Sequence, residues 1–193
     1  MTTFFTSDLH LGHANILMFC GRPGRDVDEM NELIIDNWNR VVTPEDTVFV
    51  LGDVAMGKLA DTLPLVSLLN GTKHLIAGNH DRVWGGHKKV SDVMWFRYIT
   101  EAGFTTINDG TIYTLPNGVT AILSHFPYEQ DDRHGSKYAE HHPQDDGRTW
   151  LLHGHVHQEW QVRGRQINVG VDVWGMTPVS EDVIVDIIER RRT

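Results

Sequence analysis

Cysteine is nearly missing: Cys20 is the only one in 193 residues. That excludes an internal disulfide framework and suits a reducing cytoplasm, the expected location. Cys20 itself reads as a small half-buried residue beside Phe19. No apolar run approaches the ~20 residues that a membrane-spanning helix needs, so no membrane partner is expected. The opening Met1-Thr2-Thr3-Phe4-Phe5 lacks the basic start and long apolar stretch of a secretory leader. Basic charge is in short supply, with 17 Lys and Arg against 26 Asp and Glu, a net charge of −9. Such a chain repels polyanions unless it carries a local basic patch, so stable nucleic-acid binding is not expected. The one dense basic run, Arg190-Arg191-Arg192, reads as the cation-stabilised end of a helix. Repeats, low-complexity tracts and linkers are absent, and residues 1–193 read as a single domain.

What is present has a clear rhythm. Phe4 to Thr6 and Thr47 to Leu51 are short β-rich runs, each ending at an aspartate motif. Between them Met30, Leu33, Ile34, Trp38 and Val41 follow helical spacing, with Asp26 and Asp28 as candidate caps. A second helix is expected to start near Thr62-Leu63-Pro64 and stop at Asn70-Gly71. The strand His74 to Ala77 follows, so the first half reads β-α-β-α-β with parallel strands. The second half reads as antiparallel strands: Phe104 to Asn108, Thr111 to Leu115, Val119 to Leu123, Thr149 to Leu152, and a hairpin of Glu159 to Val162 with Gln166 to Val169. Ser180 is the expected cap of a last helix. This pattern suggests an α/β fold of two sheets packed face to face with helices outside. Arg82 to Lys89 and Phe126 to Arg148 are polar and aperiodic. Both leave directly from motif residues and are expected to rim the site as loops.

Five motifs carry the chemistry: Asp8-Leu9-His10, Gly52-Asp53, Gly78-Asn79-His80-Asp81, Ser124-His125 and Gly154-His155-Val156-His157. Each follows a short apolar run, where α/β sheets place their functional loops. The seven candidate ligands are Asp8, His10, Asp53, Asn79, His125, His155 and His157. Alternation in an extended segment would point Asp8 and His10 the same way, and likewise His155 and His157. Mixed carboxylate and imidazole donors suit manganese, iron, zinc or cobalt, with manganese favoured here. Two such ions ~3.5–4 Å apart would hold a bridging hydroxide and clamp an in-line displacement, masking part of the acidic excess. Asp53, alone on its strand end, is the natural bridge. His80, beside Asn79, is the candidate acid, with Asp81 expected to orient it.

The remaining candidates are less direct. His13 reads as a substrate contact, a support behind the ligands, or equally a turn histidine bonded to backbone. His153 reads as core or as a support behind the ligands. His74 and His87 are expected at the surface, and His134, His141 and His142 solvated in the long loop. Trp150, Trp160 and Trp174 are expected to fill the core. Tyr128, Arg133, Lys137 and Tyr138 put stacking and phosphate-pairing groups on the long loop.

The five motifs in this order resemble those of the calcineurin-like metallophosphoesterase superfamily over nearly the whole chain. Ser7-Asp8-Leu9-His10-Leu11-Gly12-His13-Ala14-Asn15-Ile16 and Asn168-Val169-Gly170-Val171-Asp172 look like its small stand-alone prokaryotic and phage branch. The resemblance implies a four-layer α/β/β/α sandwich of two mixed sheets flanked by helices. It implies one metal on Asp8, His10, Asp53 and His157, and a second on Asp53, Asn79, His125 and His155. His80 takes the position that protonates or stabilises the leaving group. One departure is Val54-Ala55-Met56, where many members carry a charged residue. No cap or DNA-binding module is visible.

The expected function is hydrolysis of phosphodiesters of small nucleotides, cyclic ones included. A phosphomonoesterase or protein phosphatase is the second reading, with Arg22, Arg82, Arg133 and Lys137 as the cations that would hold a terminal phosphate. A metal-binding scaffold without activity is the third, and seven converging ligands with an intact His80 speak against it.

Overall fold

A computed structural model of the chain describes residues 1–128 and 138–191. Arg133, His134 and Lys137 therefore lie outside the described residues. The fold is α/β, a sandwich of two mixed five-stranded sheets flanked by helices. In the first sheet β1 (Thr3–Thr6), β2 (Thr47–Val50), β3 (Thr72–Ile76) and β4 (Phe104–Asn108) run parallel. At its edge β10 (Val179–Ser180) lies antiparallel to β1. The second sheet has the order β5 (Thr111–Thr114), β6 (Thr120–Leu123), β7 (Trp150–His153), β9 (Gln166–Asn168), β8 (Val162–Arg163).

The centre of that second sheet is parallel, against the sequence expectation: β6 pairs with β7, and β7 with β9, in the same direction. The reason is the long excursion between β6 and β7. A connection of more than a dozen residues allows a crossover, where a short turn would force a hairpin. Hairpins remain only at the edges, β5–β6 and β8–β9.

Strand alternation gives the first sheet two buried faces. Phe4, Val48, Val50 and Leu75 join one apolar cluster, which holds the buried faces of α1 (Ile16–Cys20), α2 (Val27–Val41), α3 (Leu59–Val66) and α4 (Asp92–Thr100). Phe5, Leu51 and Ile76 point the other way, into a cluster with Leu123, Leu152, Ile167 and Val169 of the second sheet. Ile184 and Ile188 of α5 (Glu181–Arg190) close that second cluster.

The helices show where pattern reading works. In α2 the carboxylate of Asp26 accepts the Asp28 and Glu29 N–H groups at 3.1 and 2.9 Å, so Asp26 is the cap and Asp28 is not. Its buried stripe is Met30, Ile34 and Trp38, while Val41 is exposed. The third helix starts at Leu59, earlier than expected, and holds Pro64 in its interior. Proline removes the bond that residue would make, and the chain leaves the helix two residues later through tighter turns, Ser67 N–H to Pro64 and Leu68 N–H to Leu65. The helix α4 was hidden in the sequence because Val93, Trp95, Phe96 and Ile99 are exposed while Tyr98 is fully buried, which blurs the apolar period. Ser180 sits at the cap position of α5, but its side chain makes no capping bond. Of the three expected core tryptophans only Trp150 is buried; Trp160 and Trp174 are partly exposed. Buried tryptophans are instead Trp38 and Trp84.

Asp26→Ala removes the cap of α2 and is expected to cost about 1 kcal/mol. Urea denaturation of the variant measures it; an unchanged midpoint would mean the Asp26 bonds contribute nothing to stability.

Candidate metal centre

All seven candidate ligands lie at the carboxyl ends of β1, β2, β3, β6 and β7, on one rim of the two sheets. Five of them adopt left-handed backbone: Asp8 (φ 57°), His10 (50°), Asp53 (56°), His155 (72°) and His157 (48°). Among the described residues only Met176 shares that conformation without being a glycine. Side chains other than glycine resist it, so this concentration marks a rim shaped by a task. It also corrects the alternation argument. Asp8 and His10 converge through left-handed backbone in the irregular segment after β1, and His155 and His157 do the same after β7.

The two sheets are stitched together at this rim. Ser7 bridges Gly170, which follows β9 of the second sheet, while its Oγ donates within the first sheet to the Leu51 carbonyl at 2.6 Å. The His155 N–H donates to both Asp8 oxygens, at 3.2 and 3.0 Å. A Cβ on Gly154 would collide with Ser7 Oγ and the Asp8 carboxylate, so only glycine lets the β7 loop reach Asp8.

The ligand atoms form two overlapping groups. One atom each from Asp8, His10 and His157 lie within 4.8 Å of one another, and so do atoms of Asp8, Asp53 and His125. Asp53 Oδ2 is 3.5 Å from His10 Nε2 and 3.5 Å from His125 Nε2, midway between the groups. The His125 ring donates from Nδ1 to the Leu51 carbonyl at 2.8 Å, which turns Nε2 inward. That nitrogen lies 3.1 Å from Asn79 Oδ1 and 3.3 Å from His155 Nδ1. So many acceptor atoms facing one another suit a cation. His10 Nε2, buried and without a hydrogen-bond partner, makes the same case. Nitrogen and oxygen donors in this mixture fit two divalent ions.

The electrostatics agree. Asp8, Asp53 and Asp81 are all buried. Burial pushes Asp53 up to about 7; His125 pulls against this, while Asp8 and Asp81 add to it. For His125 burial favours the neutral ring, but Asp53 and Asp8 outweigh it and raise the group. His10 is held low by burial and by His157 beside it. At His157 burial is overcome by bonds from Asp172 and Cys20, which push it up to about 11.

Several supporting groups were assigned differently from the sequence. Asp81 does not orient His80. Its carboxylate accepts N–H groups of Asp53 (2.8 Å), Val54 (3.1 Å) and Gly78 (2.8 Å) and the Tyr98 hydroxyl (3.2 Å). It thus locks the Asp53 loop to the Asn79 loop. Arg22 is no substrate-facing cation. It is buried, paired with Asp172 at 2.7 Å, and donates to the Leu9 and Asp8 carbonyls at 2.7 and 2.6 Å. Asp172, which had no role assigned in the sequence, also accepts from His157 Nδ1 at 2.9 Å, a carboxylate behind a ligand histidine. Its place in Asn168-Val169-Gly170-Val171-Asp172 was the available signal. Met56, at the departure from the usual pattern, puts its sulfur 3.2 Å from His10 Nδ1.

Other histidines also move. His142 is buried and bonded to the Pro127 carbonyl at 2.8 Å, and His87 is partly buried on the Asp81 carbonyl at 3.0 Å. His142 was expected to be solvated and His87 to lie at the surface; both are more covered than that. His74 is half-covered, stacked on Phe49. His153 is core, as expected: its ring lies against Trp160, and burial lowers it to about 3. His13 stays beside the site, its ring 5.4 Å from that of His10. Tyr128 faces away from the site, its hydroxyl donating to the Thr149 carbonyl at 3.1 Å. His80 is the outermost of the group, with its side chain 44% exposed and Nε2 4.0 Å from Asp53. Its own N–H donates to Asp53 Oδ1 at 2.9 Å.

Comparison with known proteins fits this geometry. The sequence profile described as calcineurin-like phosphoesterase matches residues 1–159. The gene 66 protein of Mycobacterium phage L5 is 34% identical over 96% of this chain and 93% of its own length. An uncharacterised protein of Methanocaldococcus jannaschii is 35% identical over 97% of this chain and 91% of its own. The crystal structure of a protein of unknown function from Aquifex aeolicus superposes with a TM-score of 0.68 at 26% identity, covering 96% of this chain and 98% of that one.

Asp172→Asn keeps the shape of the side chain but removes the charge that holds His157 and Arg22. Manganese affinity is expected to fall about 10–100-fold, measured by calorimetric titration. Unchanged affinity would show that Asp172 does not prepare His157 for metal.

Proposed function

This chain is a member of the calcineurin-like phosphoesterase family, and we propose that it hydrolyses phosphodiesters of small nucleotides, cyclic ones included. In this reading Asp8, His10, Asp53 and His157 would hold one divalent ion, and Asp53, Asn79, His125 and His155 a second, with manganese favoured. When bound, such ions activate water and neutralise charge on the phosphoryl oxygens. The chain's own groups do the rest. Asp81 fixes the two loops that carry Asp53 and Asn79. Arg22 and Asp172 hold the Asp8 and His157 ends.

His80 is the group left to meet the substrate. Partial burial and the neighbouring His125 lower it to about 4. At neutral pH it is therefore a neutral ring, a hydrogen-bond donor to the leaving oxygen. A phosphate anion beside it raises its hold on a proton, and so equips it as the acid.

The observation that carries the diester reading is a pair of cavities that meet at Asn79 and His80. One, of about 420 Å³, runs along Trp84, Tyr138 and His141. The other, of about 130 Å³, runs along Met56, Leu59 and Arg82. A phosphate held between them has room for a substituent on each side. The smaller cavity also supports a second reading. Of the four cations considered for a terminal phosphate, Arg82 alone lies beside the site among the described residues, and it could hold the dianion of a monoester.

Two measurements test this. Matched mono- and diester nucleotides assayed with manganese should show kcat/KM higher for the diester by about tenfold or more; a preference for the monoester selects the second reading. His80→Ala should lower turnover by about 10²–10⁴-fold with metal content intact, and by less when the leaving group is nitrophenolate. Loss of metal from that variant would remove His80 from the acid role.

A further inference from the structure

The segment from Val83 to Lys89 has chemistry that hydrolysis of the phosphate does not use. Trp84 is buried, yet it forms the floor of the larger cavity beside His80. Aromatic rings surround it: His141 at 4.5 Å between centroids, His87 at 5.3 Å and Tyr138 at 5.7 Å. The indole is held rather than free. A Cβ on Gly86 would run into its six-membered ring, and the Gly85 N–H donates to Asp109 at 3.0 Å, pinning the loop to the end of β4. Neither glycine has a positive φ, so both are needed for close approach and not for an unusual turn. At the mouth stand Lys88 and Glu140, one charge of each sign.

The geometry points to a nucleobase subsite in this cavity. It rests on the reading of the neighbouring centre as a phosphoesterase. A volume of about 420 Å³ lies in the ordinary range for small-molecule pockets. His141, Tyr138 and His87 pack edge-on against the buried indole, which holds them in place, and their outward parts give a planar ring π-faces and edges to contact, which every base can use. Lys88 and Glu140 can hydrogen-bond the donors and acceptors along the edge of a base. A simple alkyl ester could use none of these polar groups. The wall residues come from two loops, 82–89 and the described end of 126–148, and both start at a motif residue. Base binding and phosphate chemistry are therefore built on the same strand ends, with Asn79 and His80 shared between cavity and centre.

The test is direct binding, which needs no turnover. Saturation-transfer NMR and calorimetry with adenosine, against ribose as the base-free control, are run on the full chain with manganese. Adenosine is expected to bind and ribose not to. His141→Ala, at a partly exposed side chain, and Gly86→Ala, which displaces the indole, should each weaken adenosine by about tenfold or more. The conservative Tyr138→Phe keeps the ring and should retain binding. Melting curves confirm that each variant is folded. Adenosine binding that fails, or that survives both His141→Ala and Gly86→Ala undiminished, overturns the subsite even if diesters are hydrolysed. Binding that behaves as described in a protein that hydrolyses no phosphodiester keeps the subsite and removes the phosphodiesterase reading instead.

Discussion

Buried like charge is the constraint around which this protein is built. Asp8 and Asp53 are shut away from water and have carboxylate atoms within 4.8 Å of each other. At an effective dielectric near 20 that repulsion is about 3–4 kcal/mol. A third carboxylate, Asp81, is buried behind them. Histidine alone relieves this poorly, because each ring gains a proton only by losing a donor lone pair. Divalent cations would relieve it, and the inward-facing nitrogens of His10 and His125 would be open to them as donors. The positive φ angles at five of the seven candidate ligand positions are a further cost, of order 1–3 kcal/mol each, borne where those side chains turn inward.

The rest of the fold can be understood as support for that cluster. Parallel strands deliver their carboxyl ends to one rim, so ligands distant in sequence become neighbours. Each loop is then fastened from behind. Asp81 ties the loop after β2 to the loop after β3 through three backbone N–H groups. Arg22 gathers the loop after β1 to Asp172. Asn31 of α2 accepts the Gly12 N–H at 2.9 Å and so couples a helix to the same loop. The two apolar clusters on either face of the first sheet make this frame stiff enough to hold strained loops.

Much of this was legible in the sequence, for physical reasons. The ligand motifs are local: a β-rich run followed by aspartate, asparagine or histidine signals its place by itself. The amphipathic stripe of Met30, Ile34 and Trp38 and the Asp26 cap are equally local. What escaped depends on contacts between distant residues. Arg22 looks like a surface cation until Asp172, 150 positions away, is brought beside it. Asp81 looks like a partner for its neighbour His80, but the fold presents it with three buried N–H groups that bind it better. His142 looks solvated until the Pro127 carbonyl and a buried setting are supplied. The direction of β6, β7 and β9 follows from a crossover that no strand pattern reveals.

The same separation applies to function. Candidate metal ligands are suggested by donor chemistry, and residue type and spacing were enough to nominate them. In the proposed reading, substrate preference would depend on how two loops, 82–89 and the described part of 126–148, shape the cavities flanking His80. The central claim is that the buried carboxylates exist to hold two ions, shared through Asp53. Manganese stoichiometry, measured by elemental analysis after equilibrium dialysis of the intact chain and of Asp53→Ala, tests it most directly. Two ions per chain, falling to none on loss of Asp53, is the predicted result. A single ion in the intact chain, or two retained without Asp53, would contradict it.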